Sequence, residues 1–224
     1  HPFHKLLHFG KLSHGQIQAW ALNRFYYQWS IPRKDLTLMA RIDDIDLRLE
    51  WRSRVIDHEG DIDGSGGIKR YLQLCEKLEL DIEYVKSFKG LLPASKFAVD
   101  SYISFVREKS LLESIASSLT EIYAPAIHKE RIEGLSKHYK WADDYALAYF
   151  KKRINQARKD VEFGKEWVIK NAQTRDDQES VLDAVRFKTE VLWAQLDALY
   201  YAYVEPGFIP PGAFIPKGFK NKFG

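Results

Sequence analysis

Apolar residues recur at three- and four-residue spacing through most of this 224-residue chain, and period-two alternation is nearly absent. That pattern predicts amphipathic helices throughout and an all-α fold. Ser13 is a natural N-cap for a first long helix through GQIQAWALNRFYYQW, which Ile31-Pro32 should stop or kink, with a further helix from about Lys34. Asp43 to Asp46 break the apolar pattern before LRLEWRSRVIDHEG, and DIDGSGG is the clearest loop signal in the chain. Another helix is expected from Gly67, carrying IKRYLQLCEKL, then a shorter segment after Asp81 and a turn around Gly90 to Pro93. SKFAVDSYISFVREK and LLESIASSLTEIYAPAIHKERIEGL read as two helices, the second perturbed by Pro125. Two very long helices follow, ADDYALAYFKKRINQARKDVEFGKEWVIKNA and, after Thr174-Arg175-Asp176-Asp177, ESVLDAVRFKTEVLWAQLDALYYAYV.

These elements form one helical domain over residues 1–204. Residues 205–224, with PGFIPPGAFIPKGFKNKFG, are too rich in Pro and Gly to continue a helix, so they form a basic, aromatic-dotted tail that either packs on something or moves. An apolar content of 45%, with 14% aromatic residues, supplies a sizeable core. The 34 basic and 31 acidic residues are dispersed, with no basic block of the kind that marks nucleic-acid binding, so functional positive charge must be local. No apolar run approaches the roughly 20 residues that span a membrane, and no charged-then-apolar leader opens the chain, so a cytoplasmic protein is expected. His1 rather than methionine stands first, which implies upstream sequence removed or not ordered. The lone Cys75 lies in the amphipathic stretch YLQLCEKL and reads as a buried structural thiol.

Polar residues interrupt the apolar faces in a recurring way. Arg24, Tyr27 and Gln28 share one face of the first helix, amid Trp20 and Phe25. Arg54 and His58 form an i, i+4 pair beside Asp57, just before the Gly-rich loop, and that imidazole could move a proton. Glu121, His128 and Arg131 fall close to one stripe, Tyr149 and Arg153 repeat the four-residue spacing, Lys188 interrupts the last helix, and Lys34 follows Pro32. Taken singly, such cations are most often solvated or snorkelling, and such histidines are most often hydrogen-bonded structural groups. Recurrence separates this chain from that reading, because a bundle points such stripes at a common centre. A buried cationic pocket is unstable without an anion, and its natural occupant carries several carboxylates that arginine grips bidentately.

Metal and cofactor signatures are weak. Glu-x-x-His, HExxH and close Cys/His pairs are missing, and although Glu121 and His128 could supply two ligands, the next helix offers Tyr149 and Arg153, a fixed cation that repels a metal. DGSGG is neither a dinucleotide fingerprint nor a P-loop, and no GxSxG elbow presents a serine nucleophile.

Nine blocks taken together resemble a known family: HPFH (1–4), NRFYYQ (23–28), IPRKD (31–35), VIDHEG (55–60), GGI (66–68), FAVDSY (97–102), SSLTEIYAPAIH (117–128), YF-x-x-R (149–153) and RFK (186–188). In order and spacing they are similar to the pyrroloquinoline-quinone (PQQ) synthases, across nearly the whole chain. The resemblance implies a haem-oxygenase-like bundle of roughly seven helices, a homodimer, and cofactorless ring closure with oxidation of a bicyclic amino-acid-derived precursor, AHQQ. Molecular oxygen would be the co-substrate, hydrogen peroxide a product, and no metal or organic cofactor would be used. Carried over, it implies that Arg24, Gln28, Lys34, Arg54, Arg131 and Lys188 hold carboxylates and quinone oxygens, while Tyr27, Tyr102 and Glu121 contact or orient the substrate. His58 would do acid-base work, and His128, Tyr149 and Arg153 would shape a pocket for oxygen and peroxide. The family continues upstream of HPFH with residues that reach the site, and Lys152 stands where the family carries a small hydroxyl residue. The alternatives are a di-iron oxygenase on the same fold, a thiaminase-like hydrolase needing a cysteine nucleophile, and a non-catalytic carrier.

Overall fold

The computed structural model describes residues 1–62 and 65–219, without the side chains of 157–160, and Asp63 and Gly64 of the expected loop lie outside the described residues. Among the described residues every regular element is helical: α1 (Pro2–His8), α2 (His14–Met39), α3 (Ile45–Glu59), α4 (Gly67–Lys77), α5 (Ile82–Ser87), α6 (Pro93–Glu108), α7 (Leu111–Ala116), a 3₁₀ segment (Ser117–Tyr123), α8 (Ala124–His138), α9 (Ala148–Asn171) and α10 (Arg175–Tyr203). Seven of these are α-helices of eleven residues or more, and the short α1, α5 and α7 complete the set.

Local chemistry starts the helices, at Ser13 with the cap expected there and elsewhere with caps that the structure reveals. Ser13 and Gln16 form a reciprocal capping box at α2, Asp44 caps α3, Asp81 caps α5, and Thr174 with Asp177 forms the box at α10. Three expectations are corrected. The first of the two very long helices starts at Ala148 rather than Ala142, residues 142–147 forming turns and irregular backbone. Pro32 does not end the first long helix, and the expected second helix at Lys34 is its continuation to Met39. Proline deprives the Gln28 carbonyl of its usual donor, but Ile31, Pro32, Lys34, Asp35 and Leu38 are all buried where α2 packs on α3 and α6, and that packing outweighs one lost bond. The stretch around SSLTEIYAP is not one perturbed helix either. It divides into α7, the 3₁₀ segment and α8, with Pro125 in the first turn of α8, where a missing N–H costs nothing.

One continuous apolar cluster runs from Phe3 to Ala213, around fully buried Trp20, Trp51, Tyr71, Phe25, Phe150 and Tyr203. Helix α2 runs through it and buries polar side chains as well, among them Asn23, Gln28, Ser30, Lys34 and Asp35. Helices α3, α4 and α6 pack against α2, and α8 and α9 close the bundle with α10 and the 3₁₀ segment. The tail packs rather than moves over its described length. Ile209 and Ala213 are buried, Phe214 N–H donates to the Gly90 carbonyl at 2.9 Å, and Tyr203 Oη donates to the Phe214 carbonyl at 2.7 Å. No helix is long and apolar enough to cross a membrane.

Candidate active site

An open-mouthed cavity of about 820 Å³, counting solvent at its mouth, lies among α1, α2, the 3₁₀ segment, α8 and α10. Arg24, Tyr27, Glu121, His128 and Arg131 line it, together with His4, Trp20, Asn23, Thr120 and Gln195. Arg24 stacks on the Tyr27 ring at 4.0 Å, and Arg131 lies over Trp20 and Phe150 at 5.6 and 5.3 Å. Among the described residues neither guanidinium has a carboxylate partner, and burial together with the Arg24 charge lowers Arg131 to about 10. His128 is held well below the usual histidine range by burial, with Arg131 and Arg153 adding to the effect, and its Nδ1 has no partner among the described residues.

The other expected residues lie behind the cavity wall, in a buried polar cluster. Glu121 is the joint between the two regions. Its Oε1 accepts from Arg54 Nη2 at 2.9 Å and its Oε2 from Arg153 Nη2 at 3.1 Å, so a single carboxylate bridges cations from α3 and α9. Burial favours its protonation, but the two guanidiniums outweigh it and hold the carboxyl well below its ordinary range. Deeper still, Asp35 is fully buried, accepts from Lys34 Nζ and from Trp51 Nε1 (2.8 Å), and lies 3.8 Å from Arg54 Nε. Burial acts to lower Lys34, yet the Asp35 carboxylate leaves it raised.

Lys188 is as buried as Lys34 but, among the described residues, has no carboxylate neighbour of that kind. Its Nζ donates to Tyr27 Oη at 2.6 Å and sits 3.6 Å above the Tyr102 ring, and burial, with Lys34 and Arg24 nearby, lowers it well below the usual lysine value. Tyr102 shares a hydrogen bond with Ser117 Oγ at 3.2 Å, and Tyr149 Oη donates to Gln28 Oε1 at 2.5 Å.

His58, 1% exposed, has a defined tautomer. Its Nδ1 lies 3.0 Å from the Arg54 carbonyl, which can only accept, so Nδ1 carries the proton of the neutral ring. Nε2 then offers a lone pair with no partner among the described residues. Burial, with Arg153 reinforcing it, pushes the ring down to about 4, so it stands neutral and ready to accept at neutral pH.

Asp35 and His4 were missed in the sequence. Asp35 follows Lys34 directly in IPRKD, where adjacency did not reveal that a carboxylate would serve two helices at once. His4 lay within HPFH, which carried only resemblance. Lys152 is exposed, so it leaves the pocket's polarity untouched. Cys75 is fully buried and burial raises its thiol, which removes the nucleophile a thiaminase-like reaction needs. Among the described residues no three His, Cys, Asp or Glu side chains gather to hold a metal ion.

The bundle has the haem-oxygenase-like architecture. A crystal structure of a domain with a heme oxygenase-like fold from Shewanella denitrificans superposes with a TM-score of 0.75 over 96% of this chain and 90% of that one, at 14% identity. The TENA/THI-4/PQQC family profile matches residues 1–198. Pyrroloquinoline-quinone synthases from Granulibacter bethesdensis and Rhizobium meliloti are 55% and 56% identical to it, over 97% and 96% of this chain and 85% and 84% of theirs. The chain belongs to the TENA/THI-4/PQQC family, on its pyrroloquinoline-quinone synthase branch.

Proposed function

We propose that this protein catalyses the last step of PQQ biosynthesis. The reaction is ring closure and eight-electron oxidation of AHQQ by molecular oxygen, with release of hydrogen peroxide and without a metal or organic redox cofactor. The observation that carries this reading is the cavity in which Arg24 and Arg131 face open space without counter-ions among the described residues, while a neutral histidine stands one wall behind. Such a cavity suits a polycarboxylate. The substrate's carboxylates dock against Arg24 and Arg131, and Gln195 and Asn23 offer hydrogen bonds to its ring oxygens. His58 Nε2 takes a proton from the ring system when the side chains of the intervening wall move aside, and the resulting electron-rich anion reduces dioxygen directly. Two electrons and two protons convert each such oxygen to peroxide, and Arg153, Tyr149 and His128 stabilise the charge that develops there. Tyr27 meets the opposite edge of the ring, and Lys188 holds Tyr27 from behind the wall through its 2.6 Å hydrogen bond. The protein works as a homodimer in the cytoplasm.

Fixed guanidiniums on both sides of Glu121 disfavour the di-iron alternative, because a metal would have to share that carboxylate with two cations. The test mixes purified protein with AHQQ, with and without air, and follows oxygen uptake, peroxide and the quinone spectrum beside a metal analysis. Oxygen-dependent quinone formation at substoichiometric metal is expected. A requirement for stoichiometric iron would overturn the cofactorless reading, and binding without oxygen uptake would make the protein a carrier.

A further inference from the structure

The HPFH run builds a support for the cavity. His1 Nδ1 accepts from the Phe3 N–H at 3.0 Å, so Nε2 carries the ring proton and donates to Asp197 of α10 at 3.0 Å, while the ring meets Trp193 edge-on at 4.6 Å. These contacts fasten α1 to α10. On its other side α1 lies so close to α8 that a Cβ on Gly134 would fall 2.5 Å from the His8 carbonyl oxygen, which is backbone and cannot swing aside. Held between the two helices, His4 meets Arg131, whose Nη2 donates to His4 Nε2 at 3.2 Å. Behind it the His8 ring stacks on His4 at 5.6 Å, and His8 Nδ1 lies 3.3 Å from Glu130.

The type of partner is informative. Arg54 and Arg153 are held by a carboxylate, which fixes their direction and also cancels their charge. Arg131 is held by a neutral ring. Burial and the Arg131 charge push His4 down to about 2, so it accepts a hydrogen bond and adds no charge of its own. An imidazole lone pair therefore orients the guanidinium while leaving its positive charge available.

We propose that His4 is a positioning residue, whose Nε2 holds Arg131 against the cavity wall so that its remaining N–H groups receive a carboxylate of the substrate. This rests on the polycarboxylate reading of the cavity. It is tested by steady-state oxygen uptake with AHQQ in wild type, His4→Leu and His4→Gln, since the glutamine amide oxygen reaches the place of Nε2. His4→Leu should raise KM about tenfold or more with kcat within about threefold, as expected when a charge-assisted hydrogen bond that orients substrate is lost, and His4→Gln should restore KM to within about threefold. A wild-type KM in His4→Leu, or equal damage in both variants, would overturn the assignment. A second measurement does not depend on turnover or on a folded variant. Nitrogen-15 NMR of wild-type imidazoles at neutral pH should show His4 protonated at Nδ1 and unprotonated at Nε2, and the opposite tautomer would overturn the link to Arg131. If the expected Nδ1-protonated tautomer is found and wild type does not oxidise AHQQ, the substrate reading fails while the link between His4 and Arg131 stands.

Discussion

The open cavity and the cluster behind it use the same residue types and differ in how their charge is balanced. In the cluster Lys34, Arg54 and Arg153 face Asp35 and Glu121, and each cation lies against a protein carboxylate. In the cavity Arg24 and Arg131 lie against aromatic faces and a neutral histidine. Titration behaviour follows the counter-ion rather than the region: Lys34, beside Asp35, is raised, whereas Arg131 in the cavity and Lys188 behind it are lowered. Burial alone therefore does not mark a ligand site. A buried cation with its own counter-ion supports the fold, and a buried cation without one awaits an anion from outside.

The largest effect that would test this division is catalytic. His58→Ala should lower the oxidation rate by roughly 10²- to 10⁴-fold while AHQQ affinity changes little, because the lost group moves a proton and does not grip carboxylates. Single-turnover oxygen uptake beside equilibrium binding checks it, and unchanged kinetics would remove His58 from its role. Next, Asp35→Asn leaves Lys34 and Arg54 short of a counter-ion and should cost about 3–5 kcal/mol of stability in urea unfolding. A loss below about 1 kcal/mol would mean that the cluster is not held together by its charges.

Acid should expose the same contrast. His58 titrates near 4 when folded and near 6.5 when exposed, so between these values the unfolded chain binds the extra proton. The stability that accompanies its neutral form is complete above pH 6.5 and is lost as pH falls toward 4, about 3 kcal/mol at most. Urea titrations at neutral and mildly acidic pH should show this loss, and His58→Gln should reduce it by the share of His58, leaving that of the other buried histidines, His4, His8 and His128. The smallest effect is in the cavity. Arg131→Gln should weaken AHQQ binding roughly 10- to 100-fold, as for a lost charge-assisted hydrogen bond, and leave the melting temperature of the free protein unchanged or raised. A melting temperature that falls as far as in Asp35→Asn would erase the distinction between the two regions.

Much of this could be read along the chain. Ser13, Asp44 and Thr174 cap the helices that the apolar spacing predicts, because capping and periodicity act within a few residues. Helical spacing puts Arg24 and Tyr27 on one face and Glu121, His128 and Arg131 on one stripe, and all five line one cavity. The interruption by the 3₁₀ segment was not legible, nor was the passage of α2 through Pro32, since each depends on what packs against the backbone. Sequence by itself determined the helices, the supply of cations and imidazoles, and the faces on which they stand, all of which follow from short-range geometry. Only the tertiary structure decided which cation received a carboxylate, a phenol or a neutral ring as its neighbour. Asp35, Glu121 and His4 reach their partners across different helices, and electrostatic balance in a buried site depends on distance in space rather than on order in the chain.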